Sequence, residues 1–180
     1  MKISDFADLG LEQIPPADTE EADAKIKDYY ASLSPARKEK ADAIKSRSSR
    51  RQSICAGHLL EDMLRVRGLS APFSYGMSER GKPFLEDVQF SLSHCKGWCA
   101  CIVAGQMVDV EMLGRYRDSL CRRFFTEAEQ VFLQKTTEAD FYFTLLWTCK
   151  EALAKCLDIA LTEVCQNCNM SPLLQTLKTK

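Results

Sequence analysis

Two short stretches about forty residues apart hold the residue types of a phosphate-handling site: Val108-Asp109-Val110-Glu111 and Trp147-Thr148-Cys149-Lys150-Glu151-Ala152-Leu153-Ala154-Lys155. A strand alternates its side chains, so Asp109 and Glu111 project to one side and Val108 and Val110 to the other. A helix puts Trp147, Glu151 and Lys155, spaced i, i+4, i+8, on one stripe. Packed together, such a strand and helix converge three carboxylates and one ammonium. Carboxylates that close repel one another unless a cation lies between them, and a hard, oxygen-ligated ion such as Mg²⁺ suits them. The adjacent Lys then points to phosphates as the ion's other ligands. Either stretch alone also fits a half-exposed strand or a solvated helix face, so the reading rests on their combination.

Three further segments could contribute. Arg37, Lys38, Lys40, Lys45, Arg47, Arg50 and Arg51 place seven positive charges within fifteen residues, against Glu39 and Asp42 alone. That is a solvated basic face, a site for a terminal phosphate dianion, or a nucleic-acid groove. Without interleaved aromatics the groove ranks last. Gly81-Lys82-Pro83 is a rigid turn whose backbone can lie against a flat base, or simply a loop before a strand. Ser93 and His94 end an alternating stretch, where they can donate to phosphate oxygens; as neighbours on a strand they face opposite ways and do not form a nucleophile pair.

These residues need elements to hold them. Residues 1–18 read as an irregular start closed by Pro15-Pro16. Asp18 or Thr19 caps a helix through about Ser32, with Glu20 and Glu21 in its first turn. Ser34-Pro35 restarts a helix over Arg37–Lys45, as an N-cap followed by Pro at the first position. A third helix, about Ser49 to Arg67, turns Ile54, Leu59, Met63 and Val66 towards a core and stops at Gly68. The period then becomes two. Asp87–Ser93 alternates, Trp98–Ala104 is a buried strand, Gly105-Gln106 turns, and Met107–Glu111 returns. Thr126-x-x-Glu129 is a capping box, Asp140–Leu157 a long apolar helix, and the last ~20 residues show no pattern.

At 180 residues, 46% hydrophobic and 27% charged, the chain has the composition of a globular enzyme. A net charge of −1 supplies no global field for nucleic acid or membrane. No basic-apolar leader opens the sequence and no apolar run nears the ~20 residues that span a bilayer. Nine cysteines, an odd number set mostly in apolar stretches, read as reduced thiols used as small hydrophobes in the cytoplasm. The single C-x-x-C at Cys165 and Cys168 lacks a second pair for zinc.

Five segments stand in order: Ser34-Pro35-x-Arg37-x-x-Lys40, Gly81-Lys82-Pro83, Phe90-Ser91-Leu92-Ser93-His94, Val108-Asp109-Val110-Glu111 and Trp147-x-x-Lys150-Glu151-Ala152-x-x-Lys155. Over roughly residues 30–157 the chain resembles the 4′-phosphopantetheinyl transferases, specifically the monomeric surfactin-synthetase type. It departs from that family at Met107, where Gly is usual.

The resemblance implies an α+β fold, a pseudo-dimer of two similar halves, each a helix on a small antiparallel sheet, with the site between them. Residues 1–95 would form the coenzyme A side. Residues 96–180 would carry the metal and catalytic motifs, with 159–180 as a tail. The implied reaction transfers phosphopantetheine from coenzyme A to a serine of an apo acyl or peptidyl carrier protein, a holo-carrier synthase activity that releases adenosine 3′,5′-bisphosphate. Asp109, Glu111 and Glu151 would hold Mg²⁺, with Mn²⁺ able to substitute. Lys155, helped by Ser93 and His94, would contact the pyrophosphate, and Glu151 would also be the general base. Gly81, Lys82 and Pro83 would face the adenine, and Arg37, Lys40 and His94 the 3′-phosphate.

Arg115, Arg117, Arg122 and Arg123, with Met112, Leu113, Phe124 and Phe125, form a basic, apolar-centred patch that could dock an acidic carrier. The expected protein is a cytoplasmic monomer without nucleic-acid or membrane partners. The other readings are a coenzyme A or nucleotide-binding module that has lost catalysis, and a nucleic-acid binder acting through residues 37–51.

Overall fold

A strand runs where the sequence predicts an irregular start. In a computed structural model, which describes residues 7–17, 19–79, 81–95, 97–105, 118–172 and 174, β1 (Ala7–Gln13) pairs antiparallel along the whole of β5 (Trp98–Ala104). Its alternation is inverted relative to an ordinary half-exposed strand. Asp8 and Glu12 point to the helical side, where Asp8 meets Arg67 at 2.8 Å and Glu12 accepts from the Tyr29 hydroxyl. Polar residues facing a packed layer conceal the period-two signal.

The remaining elements of the first unit follow their local signals. Thr19 caps α1 (Glu20–Ser32), its side chain accepting from Ala22 N at 3.2 Å. α2 (Pro35–Asp42) has Ser34 as N-cap and Pro at its first position, and ends three residues before the expected Lys45. α3 (Arg47–Val66) buries Ile54, Cys55, Leu60 and Leu64, with Leu59 and Met63 partly buried. Val66, expected inside, is 89% exposed. Two residues past Leu64 at about 100° per residue, it lies on the far side of the helix.

Short strands β2 (Gly76–Met77) and β3 (Pro83–Phe84) form a hairpin, and β4 (Gln89–Cys95) pairs antiparallel with β5. The main sheet has the order β1-β5-β4. On one face Cys99, Cys101, Val103 and Phe90 meet Ile54, Cys55, Leu60 and Leu64 of α3. The architecture is α+β, helices on small antiparallel sheets.

The chain divides into two compact units, Met1–Met112 and Leu113–Lys180. A boundary after residue 95, expected from the sequence, would cut the β4–β5 hairpin and remove the central strand of the first sheet. In the second unit lie α4 (Asp118–Phe124), α5 (Glu127–Lys135), α6 (Ala139–Leu157) and α7 (Leu161–Asn167). Thr126 and Glu129 form the predicted capping box at the start of α5. Asp158 ends α6 in the left-handed region at φ 51°, which Asp tolerates better than most residues. The helix α7 replaces part of the expected patternless tail. Its core gathers Cys121, Phe125, Leu133, Phe143, Leu146, Trp147 and Leu174. Among the described residues this unit contains no strand. The predicted strand Met107–Glu111 lies outside the described residues. Among the described residues no helix is long and apolar enough to cross a membrane.

Candidate functional site

Arg37 is the most unusual charge in the first unit. It sits in the first turn of α2, 5% exposed, and its Nε has no hydrogen-bond partner. Burial is possible because α3 presents Gly57 beneath it. A Cβ there would stand 2.9 Å from Nε and 3.1 Å from Nη2 of Arg37. One turn further along α3, the buried Glu61 carboxylate accepts from Ser34 N at 3.2 and 3.1 Å and from the Tyr75 hydroxyl at 3.4 Å. Burial pulls the Arg37 guanidinium below its ordinary value, against the opposing fields of Tyr75 and Glu61. Burial likewise pushes the Tyr75 hydroxyl up, with the Glu61 charge adding to it. On the same helix Lys40 is lowered, first by desolvation and then by the Arg37 charge. A buried guanidinium with an unpartnered N–H gains from an anion at Nε, and Lys40, exposed three residues further along α2, lies on the same helix face.

Most of the rest of the basic stretch is engaged within the fold, while Lys45 is exposed. Arg51 is buried, ion-pairs with Asp23 and donates to Pro15 O at 3.1 Å and Pro16 O at 2.9 Å. Arg47 pairs with Asp23 at 2.9 Å, Arg50 donates to Ile44 O at 3.0 Å, and Lys38 to Ala31 O at 2.9 Å. These contacts cross-link α1, the chain before it and the α2–α3 connection. These basic residues are not a uniform solvated face.

The β4 register separates Ser93 from His94. Ser93 pairs with Ala100 and His94 with Cys99, so His94 shares the face that packs on α3 and Ser93 the other. Ser93 is buried and His94 exposed. Arg37, against Gly57 and within the field of Cys101, is on the His94 side. Gly81-Lys82-Pro83 closes the β2–β3 hairpin: Ser78 N donates to Lys82 O at 2.8 Å and Gly81 N to Ser78 O at 2.9 Å. Gly81 adopts φ +81°, a left-handed conformation suited to Gly, with open space where a Cβ would be. A groove of about 430 Å³ runs beside the hairpin, past Phe73, Gly76, Phe84, Glu86 and Asp87, and includes none of the predicted site residues.

In the second unit α6 sorts the Trp147–Lys155 motif by direction. Trp147 is buried against Phe124, Phe125 and Phe143, with ring centroids at 5.4, 6.3 and 6.1 Å. Lys150 is also buried and pairs with Glu129 at 3.0 Å. Glu151 and Lys155, one turn apart, are half-buried on the flank between core and solvent. The sequence reading treats Glu129 only as the capping-box acid and misses its partnership with Lys150. Two such ions buried far apart in sequence leave no spacing signal. Arg122 pairs with Asp118 at 2.6 Å and Arg123 lies over the Phe124 ring at 5.0 Å, while Phe125 is buried core. Asp109, Glu111, Met112, Leu113, Arg115 and Arg117 lie outside the described residues. Among the described residues no group of three or more His, Cys, Asp or Glu could hold a metal ion.

Residues 108–178, which include Asp109, Glu111, Glu151 and Lys155, match the profile of the 4′-phosphopantetheinyl transferase superfamily. A Bacillus subtilis protein named 4′-phosphopantetheinyl transferase is 33% identical over 92 residues, 47% of this chain and 41% of that protein. The chain thus spans about two fifths of that relative's length. The likeness to this superfamily, read above from five ordered segments, is shown by both comparisons.

Proposed function

We propose that this protein transfers the 4′-phosphopantetheine arm of coenzyme A to a serine hydroxyl of an apo acyl or peptidyl carrier protein. The superfamily match over residues 108–178 supports phosphopantetheine transfer among phosphate-handling reactions. The observation that carries the coenzyme A end is the buried Arg37 guanidinium, its Nε unpartnered, beside a depressed Lys40. Together with His94 on the same side of the sheet they form the 3′-phosphate site, and Gly81-Lys82-Pro83 is the turn against the adenine. Two halves of surfactin-synthetase type, with the reaction at their junction, complete the reading.

Asp109, Glu111 and Glu151 offer hard carboxylate oxygens that suit Mg²⁺, which when bound would offset charge on the pyrophosphate. Lys155 places an ammonium against the phosphate that departs, and Ser93 adds a hydroxyl donor. The serine oxygen forms a bond to the β-phosphorus of coenzyme A, and the bond from that phosphorus to the bridging oxygen breaks. Adenosine 3′,5′-bisphosphate leaves with the electron pair, and the serine proton passes to Glu151. Catalysis on this scheme is positioning and charge.

The test is incubation of the protein with coenzyme A, Mg²⁺ and a panel of apo carriers. A mass gain of one phosphopantetheine arm on a carrier is expected. Coenzyme A binding without any mass gain would replace the transferase with a binding module.

A further inference from the structure

Lys150 lies one residue from the proposed base and five from the proposed phosphate-binding Lys, yet its ammonium is inside the protein. It donates to Cys168 O at 2.7 Å and Cys165 O at 3.3 Å and pairs with Glu129 Oε2 at 3.0 Å. An ammonium has three protons, and these three acceptors account for them. The Phe125 ring covers it at 5.7 Å. Glu129 is equally engaged: Oε2 also accepts from Thr126 N at 2.8 Å, and Oε1 from Met170 N at 2.7 Å. Cys165 and Cys168 belong to the last turn and C-cap of α7, where carbonyls lack helical donors. One ion pair therefore joins the start of α5, the middle of α6, the end of α7 and the chain beyond it.

We propose that Lys150 is a positioning residue that sets the rotation of α6, and with it the directions of Glu151 and Lys155, without itself touching substrate. The proposal rests on the transferase reading of those two residues. At about 100° per residue, a helix pinned with Lys150 inward holds Glu151 about 100° and Lys155 about 140° round from that anchor. Both then fall on one flank, about 40° apart, so that the base and the phosphate-binding ammonium face the reaction from the same side. Releasing the anchor lets α6 turn, moving both groups together. A small misalignment of reacting groups lowers turnover more than binding.

The experiment uses the full chain, with kcat and KM measured well below the melting temperature. Lys150→Met should lower kcat at least tenfold with KM for coenzyme A within twofold, because the orphaned Glu129 carboxylate disrupts the core. Adding Glu129→Gln, whose single carbonyl oxygen keeps either the Thr126 or the Met170 contact and which removes the stranded charge, should recover at least threefold of that loss. If Lys150→Met does not fold, the folded double variant decides: a reduced kcat with KM for coenzyme A within twofold supports positioning, and a kcat equal to wild type or a KM raised tenfold overturns it.

An unchanged kcat in Lys150→Met would make the ion pair merely structural. A tenfold rise in KM without recovery in the double variant would make Lys150 a substrate contact. A readout independent of activity uses the wild type. An amine-labelling reagent should modify Lys155 but not Lys150, and coenzyme A should protect Lys155. Labelling of Lys150 that coenzyme A suppresses overturns the proposal, even if neither variant folds. Should no carrier accept the arm, the transferase reading fails while the labelling pattern and the variants' melting temperatures still judge the anchor.

Discussion

Gly57→Ala should separate recognition of the 3′-phosphate from stability. The new Cβ would stand 2.9 Å from Arg37 Nε, 3.1 Å from Nη2 and 3.2 Å from Leu33 Cδ2. All three atoms belong to side chains, and the guanidinium is the end of a long one, so Arg37 moves before the helix does. Overpacking costs about 1–3 kcal/mol, whereas Ala in a helix interior gains about 1 kcal/mol over Gly. With Arg37 free to swing outward, net stability should change by no more than about 1 kcal/mol. Recognition should change more. A charge-assisted bond to phosphate contributes about 1.5–3 kcal/mol, or roughly ten- to a hundredfold in preference at 1.4 kcal/mol per decade. The assay is the ratio of kcat/KM for coenzyme A to that for 3′-dephospho-coenzyme A, in wild type, Gly57→Ala and Arg37→Ala. Both variants should lose the preference, with Gly57→Ala melting close to wild type. An undiminished ratio in Gly57→Ala would refute the cradle, and one undiminished in Arg37→Ala would remove Arg37 from the phosphate site.

Asp109→Ala and Glu111→Ala should each abolish transfer while metal-free thermal stability holds or rises, since each relieves acidic repulsion; near wild-type rates in saturating Mg²⁺ would withdraw both as ligands. Arg51→Ala should cost stability by about 1.5–3 kcal/mol, because Pro15 and Pro16 lose a charged donor, as read in a urea titration at neutral pH. Arg51 is the main cause holding the Asp23 carboxyl below its ordinary 3.8. A depressed acid stabilises the fold above its unfolded pKa, and that contribution is lost as pH falls through the lower folded value. Arg51→Ala should therefore flatten the acid limb of the stability profile below about pH 4, and an unaltered limb would contradict the pairing. Burial pushes the thiols of Cys55, Cys99 and Cys101 up to about 12, so at pH 8 a thiol reagent should label them only after unfolding, as mass spectrometry would report.

What could be read in the sequence was local. Thr19, Pro35 and the Thr126–Glu129 box each mark a helix start with atoms a few residues apart, and Trp98–Ala104 is apolar at nearly every position because it is the central strand. What could not be read depended on partners distant along the chain. β1 places its acids on the helical side, where Arg67 and Tyr29 meet them, and no rule of alternation anticipates the inversion. The basic stretch shows the same limit within the candidate site. Its charges looked equivalent in sequence, but tertiary contacts separated them: Arg51 went to Asp23 and two proline carbonyls, while Arg37 was left buried over a glycine with an idle N–H. The Trp147–Lys155 motif divided in the same way, Lys150 into the core and Glu151 and Lys155 to its flank. In both cases a structural cation stands beside a candidate functional one. In the basic stretch the structural member is Arg51, whose donors are matched by fixed acceptors, since a satisfied buried ion gains nothing from a ligand. By that criterion Arg37 is a candidate to meet a phosphate, and Arg51 and Lys150 are not.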